Sequence, residues 1–180
     1  MKYYLAYGSN LDVAQMLDRC PGALYVGTTH IPGRLCFRGS KTGSFLSVDL
    51  DAEGSVPCVV WAISAENERS LDVYEGYPNF YEKANLRVTV TPFSPSPCFD
   101  VTAMIYVLPE ASPLGAPTRS YYNVCLGGYR QFKFQASTLL DALKFSVGSR
   151  AAYELFKQPP YSCESYVPVK FRLRTKEKFD

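Results

Sequence analysis

An apolar, tyrosine-rich run, Tyr3-Tyr4-Leu5-Ala6-Tyr7, opens the chain and stops at Gly8-Ser9-Asn10. Helical spacing begins at once, with Val13, Met16, Leu17 and Cys20 recurring before Pro21-Gly22. This pattern predicts a strand, a tight turn and a short helix, with Ser9, three residues ahead of Asp12, as the expected helix cap. Short apolar segments follow at Leu24 to Val26, Arg34 to Phe37, Phe45 to Val48 and Cys58 to Ile63, each bounded by Gly, Pro, Ser or Asp, and each reads as a strand. Ala65 to Tyr74 returns to helical spacing. Ser64 is placed to cap it, Glu66 and Glu68 suit its positive first turn, Asn67, Leu71 and Tyr74 share a face, and Gly76 and Pro78 end it.

Leu86, Val88 and Val90 then alternate with polar neighbours, as do positions from Val101 to Leu108. A proline-rich loop over 92–97 joins these two expected antiparallel strands. Helical spacing resumes over Thr118 to Phe132, weakened by Gly127-Gly128, and over Ser137 to Phe145. A short helix over Ala151 to Lys157 and a final strand over Val167 to Leu173 complete the pattern. Strands fill the middle and helices flank them, so the expected fold is α/β in the α+β sense, on a mixed, curved sheet rather than a doubly wound parallel one.

At 180 residues, with no repeat and no linker, the chain reads as one domain over 1–180, long enough to bury a core without staples. A formal charge of +2 is too small to argue for nucleic acid, and the one charge-dense segment, Arg172 to Lys178, reads as a solvated tail. The 14 tyrosines and 11 phenylalanines exceed what a core of this size needs, and part of them are expected to line a pocket. Six dispersed cysteines form no Cys-x-x-Cys pair and His30 is the one histidine, which argues against a zinc site. The longest apolar run, Cys58 to Ile63, is far too short to span a membrane, and the lysine and few apolar residues before Gly8 are too little to be read as a signal peptide. The expected setting is the cytoplasm, with free thiols.

Two stretches carry candidate chemistry. A strand that runs through Gly8-Ser9-Asn10 into a helix gathers unpaired N–H groups and the positive end of a helix dipole, a place for a carboxylate or a developing oxyanion. The same arrangement also occurs in α/β proteins with no ligand. The second stretch is Leu71 to Glu82. There Glu75 falls at the C-terminal end of a helix, where the dipole opposes negative charge, among Tyr74, Tyr77, Phe80 and Tyr81. A carboxyl so placed favours its protonated form and suits a group that takes and returns a proton near neutral pH. The competing reading has Glu75 facing water beside a Gly-Tyr-Pro turn. A serine hydrolase is disfavoured, because Ser9 lacks a Gly-x-Ser-x-Gly elbow and His30 adjoins Ile31-Pro32-Gly33 as a turn residue would.

Together the two stretches resemble the gamma-glutamylcyclotransferase family, which includes the AIG2-like proteins. Tyr7-Gly8-Ser9-Asn10-Leu11 matches that family's Tyr-Gly-Ser-Asn-Leu motif, and Leu71 to Gly76 its Leu-Asp-x-x-Glu-Gly motif. Tyr81, Pro117, Tyr121 and Gly128-Tyr129-Arg130 match in order and spacing. The likeness spans residues 2 to 145 and leaves 146–180 as a C-terminal extension, expected to lie on the surface.

The resemblance implies a small mixed β-barrel with flanking helices and a pocket at one end. It also implies a reaction without metal or cofactor, in which the substrate's own α-amine attacks the gamma-carbonyl of a gamma-glutamyl amide. Pyroglutamate forms and an amine leaves. Glu75 would be the acid/base, the backbone N–H groups from Tyr7 through Gly8 and Ser9 to Asn10 would hold a carboxylate or the oxyanion, and the hydroxyls of Tyr81 and Tyr121 would orient the gamma-glutamyl part. The implied partner is a small gamma-glutamyl amino acid or amine, with neither nucleic acid nor membrane, and with a homodimer left open. Glutathione is the less favoured substrate, since its specific cyclotransferases carry Gly-Tyr-Gly-Ser where this chain has Ala6-Tyr7-Gly8-Ser9. The alternative is a non-catalytic binding or interaction module of the same fold.

Overall fold

The computed structural model describes residues 1–40 and 43–157. Its strands, in chain order, are β1 (Lys2–Ala6), β2 (Leu24–Pro32), β3 (Arg34–Ser40), β4 (Gly43–Asp49), β5 (Ser55–Ile63), β6 (Glu82–Pro92) and β7 (Phe99–Val107). The helices are α1 (Val13–Arg19), α2 (Ala65–Glu75), α3 (Arg119–Gln131), α4 (Ser137–Val147) and α5 (Ser149–Lys157). Strand β5 is apolar at nearly every position and buried from Val56 to Ile63, the pattern of a strand covered on both faces.

Around β5 a barrel closes in the order β1-β5-β2-β6-β7. The β1–β7 seam is parallel, with Tyr4 opposite Met104, and the other pairings are antiparallel, so the expected mixed barrel with flanking helices is what forms. Strand β6 keeps the predicted alternation, burying Val88 and Val90 while Arg87 and Thr89 face solvent. No described helix is long and apolar enough to cross a membrane.

Strands β3 and β4 form a separate hairpin in which Phe37 faces Leu46. Hydrogen bonds along both of its strands fix it to the rest of the molecule. The Ser146 hydroxyl of α4 accepts from the Phe37 N–H at 2.7 Å, and the buried Arg38 guanidinium donates to Asp49 at 2.9–3.0 Å and to the carbonyls of Glu110 and Ser112 at 2.7 and 2.8 Å. With every arm of the guanidinium engaged, the buried charge is matched. The hairpin therefore presents Leu46 to one end of the barrel in a set position.

Three expectations need correction. Ser9 caps no helix: Ser9–Leu11 is a 3-10 turn, and Asp12, in extended conformation, caps α1 by accepting from the Gln15 N–H at 2.9 Å. His30 lies in a strand, not a turn, since β2 runs on to Pro32 with His30 opposite Pro57. The inward positions of that stretch are Gly27, Thr29 and Ile31, and the first two are too small or polar for an apolar alternation to register. Tyr74 does not share the buried face of α2, as it is half exposed while Asn67 and Leu71 are buried. The strand expected over 167–173 and the basic tail lie outside the described residues.

Candidate active site

Helix α2 delivers the acid. Ser64 caps it through a reciprocal pair with Asn67, at 3.0 Å each way, and the left-handed Gly76 ends it. Asn67 and Leu71 are the inward positions, and the next step of four along that row is Glu75. The row that seats the helix on the barrel thus turns the last helical residue toward the interior. Burial pushes the Glu75 carboxyl up to about 7, against the pull of the Arg19 charge and the Asn10 amide.

The turn after β1 supplies the facing wall. Gly8 approaches so closely that a Cβ there would stand 3.3 Å from the Tyr121 hydroxyl and 3.5 Å from Leu46 Cβ. Behind the turn, α3 crosses at Gly128, where a Cβ would come within 2.4 Å of Leu11 Cβ. The glycine that weakens the helical pattern is the one that lets α3 press on the turn. Asn10 is buried, and its amide nitrogen donates to Glu75 Oε1 at 2.9 Å and to the Tyr4 hydroxyl at 2.7 Å.

Tyr4, Tyr7, Gly8, Ser9, Asn10, Leu46, Glu75, Tyr81, Tyr106 and Tyr121 enclose a slot of about 30 Å³ at the barrel end where β1 and β7 finish and β6 begins. Every residue singled out from the sequence, Tyr7, Gly8, Ser9, Asn10, Glu75, Tyr81 and Tyr121, lines this one slot. The hydroxyls converge on the backbone of Leu46. Tyr81 donates to its carbonyl at 3.1 Å, Tyr7 reaches that carbonyl at 3.4 Å and donates to the Tyr106 carbonyl at 2.6 Å, and Tyr121 accepts from the Leu46 N–H at 3.1 Å. Burial raises all of these phenols well above their ordinary range, so they stay neutral hydroxyls. With their protons given to backbone carbonyls, Tyr7 and Tyr81 offer lone pairs to a ligand.

Sequence reasoning missed Tyr4, Leu46, Tyr106 and Arg19. Tyr4 sits inside the strand that carries the motif and could have been found from its alternation, whereas Leu46 and Tyr106 arrive by tertiary pairing alone. Of the aromatic residues expected to crowd Glu75, Tyr81 lines the slot with it, while Tyr74 and Tyr77 do not. Tyr74 and Tyr77 are largely exposed, one stacked on Arg19 and the other beneath Lys83, and the tyrosines of the barrel surround the carboxyl instead. Among the described residues no group of three or more His, Cys, Asp or Glu converges as a metal would require.

Residues 4–129 match the family model for gamma-glutamyl cyclotransferase, AIG2-like, and the chain belongs to that family. Solved structures agree on the fold. One described as a gamma-glutamyl cyclotransferase shares 21% identity at a TM-score of 0.64, covering 87% of this chain and 98% of its own. An uncharacterized human protein shares 22% at 0.61 with the same coverage. A yeast cyclotransferase specific to glutathione shares 11% at 0.52, covering 81% of this chain and 96% of its own. No curated protein matches the sequence significantly.

Proposed function

We propose that this protein cyclises gamma-glutamyl amides, amino acid or amine derivatives, to pyroglutamate and releases the amine. The observation that carries the reading is a carboxyl with its midpoint raised to about 7, set in a slot opposite a Gly-Ser-Asn turn. An α-amine is protonated at neutral pH and must lose a proton before it can attack. Glu75 takes that proton and the free amine attacks the gamma-carbonyl to give a tetrahedral oxyanion. The ring nitrogen then loses a second proton while Glu75 gives one to the departing nitrogen, and the amide C–N bond breaks as the oxyanion collapses. The N–H groups of Gly8 to Asn10 receive the substrate carboxylate or the oxyanion. Tyr7 and Tyr81 accept from the α-ammonium, and the Tyr121 hydroxyl beside them helps orient the gamma-glutamyl part.

The slot has room for about two water-sized groups. It therefore takes the reacting end of the glutamyl part and leaves the departing amine at the mouth, while its narrowness enforces the folded-back conformer in which amine and carbonyl meet. The described cysteines are free thiols, four of them buried, which supports a reducing compartment such as the cytoplasm. The test is to incubate the protein with a panel of gamma-glutamyl amino acids, gamma-glutamyl amines and glutathione and measure pyroglutamate. Turnover of at least one member is expected, and no pyroglutamate from any of them would leave a binding module.

A further inference from the structure

Asn10 is an asymmetric link, since its amide has an accepting end and a donating end, and both are committed. The oxygen accepts from Arg19 Nη1 while the nitrogen donates to Glu75 at 2.9 Å and to Tyr4 at 2.7 Å. Turned over, the amide would set its oxygen against the carboxyl and its N–H groups against a cation. The guanidinium is itself fixed from two helices. Its Nη2 donates to Gln15 Oε1, one turn back on α1, at 2.7 Å and to the Tyr74 hydroxyl of α2 at 2.6 Å, and its carbon lies 3.6 Å from the Tyr74 ring centre. Arg19 does not line the slot. It stands behind Asn10, and the residue it grips on α2 is the one before Glu75.

We propose that Arg19 is the positioning residue of the site: by holding the Asn10 oxygen and Tyr74 together it orients the Asn10 amide so that its nitrogen faces Glu75. This deepens the reading of Glu75 as the proton-transfer group and rests on it. Planar fork geometry is essential to the role, because one rigid guanidinium meets three residues through three hydrogen bonds and a stacked ring. A lysine at this position keeps the charge and loses the fork. The other titratable groups acting with Glu75 are Tyr4 of β1, Tyr7, Tyr81 and Tyr106 of β7, all neutral hydroxyls in the relevant range, so the acid's midpoint reports on Arg19 and Asn10.

The test is a ¹³C NMR titration of the Glu75 carboxyl in the wild type, Arg19→Lys, Arg19→Met, Asn10→Ala and the double variant Asn10→Ala/Arg19→Lys. Arg19 is partly exposed, and melting curves establish that each variant is folded. Arg19→Lys, which loses only the fork, should raise the midpoint by about half a unit, and Arg19→Met, which also removes the charge, by about one unit or more. On the Asn10→Ala background, Arg19→Lys should add less than about 0.2 unit. Arg19→Lys titrating like the wild type would overturn the proposal, because charge alone would then suffice. An equal effect of Arg19→Lys with and without Asn10 would overturn it as well. The titration needs no turnover, so these shifts in a protein that forms no pyroglutamate would uphold the positioning role and sink the cyclotransferase reading instead.

Discussion

Glu75 holds its proton to about pH 7 because the slot strips water from the carboxyl faster than Arg19 and Asn10 restore its charge. Two consequences can be measured. A base must be ionised before it can accept a proton, so kcat/KM should rise with pH along an acid limb whose midpoint lies near 7 and flatten above it. Glu75→Gln should fold and lose about 10²–10⁴-fold in turnover, and a variant that keeps more than about a tenth of the rate removes Glu75 from the mechanism.

The same shift has a stability cost with a definite sign. A carboxyl whose midpoint rises from 4.5 to about 7 binds its proton more tightly in the folded state, so stability falls as pH climbs through that window. Glu75→Gln should therefore match the wild type near pH 4 and exceed it above pH 7, by at most about 3 kcal/mol, in denaturant titrations at the two pH values. A constant difference across pH would show that burial does not set the midpoint. The sequence disclosed this acid by its place at a helix end. What it disclosed only in part was the source of the burial: of the aromatics beside it in sequence Tyr81 does bury it, but Tyr74 and Tyr77 do not, and Tyr4 and Tyr106 arrive from across the barrel.

Among the elements, the site depends on how closely α3 and the β3–β4 hairpin approach the turn after β1. Gly128→Ala places a methyl group 2.4 Å from Leu11 Cβ and 3.1 Å from the Leu11 carbonyl carbon, so the turn or the helix must move. A loss of about 1–3 kcal/mol is expected, together with a drop in activity larger than the loss of folded protein explains. Wild-type melting and wild-type turnover would show that the crossing tolerates a side chain. Arg38→Leu leaves the carbonyls of Glu110 and Ser112 without this donor and takes from Asp49 its main partner, leaving it the longer contacts to Arg34 at 3.4 Å and Cys36 at 3.5 Å. A cost of about 3–5 kcal/mol by denaturant titration is expected, and a cost under about 1 kcal/mol would contradict the anchoring role.

The unbroken apolar run of β5 and the spacing of α2 and the β6–β7 pair made these elements legible. Strand β2 was legible only at its start, because Gly27 and Thr29 occupy its inward positions. At Gly27 a Cβ would stand 2.3 Å from the Thr91 carbonyl oxygen, so the pairing with β6 demands glycine where an apolar residue would have marked the strand. The cap of α1 was misplaced by three residues because both Ser9 and Asp12 fit the preference, and only the extended backbone at Asp12 decides between them.

At the scale of the molecule, the barrel and the β3–β4 hairpin bring residues from β1, β4, α2, β7 and α3, and Tyr81 just ahead of β6, to one end, where under the proposed reaction a substrate that supplies its own nucleophile would need only to be folded, deprotonated and held. That economy separates cyclisation from hydrolysis of the same bond, and one experiment divides them. A turned-over gamma-glutamyl compound is incubated with the protein in ¹⁸O-labelled water beside its N-acetylated counterpart, and the products are read by mass spectrometry. The account predicts unlabelled pyroglutamate from the free amine and no cleavage of the acetylated compound, whose nitrogen has no available lone pair. Labelled glutamate as the first product, or cleavage of the acetylated compound at a comparable rate, would contradict it and make Glu75 a base for water.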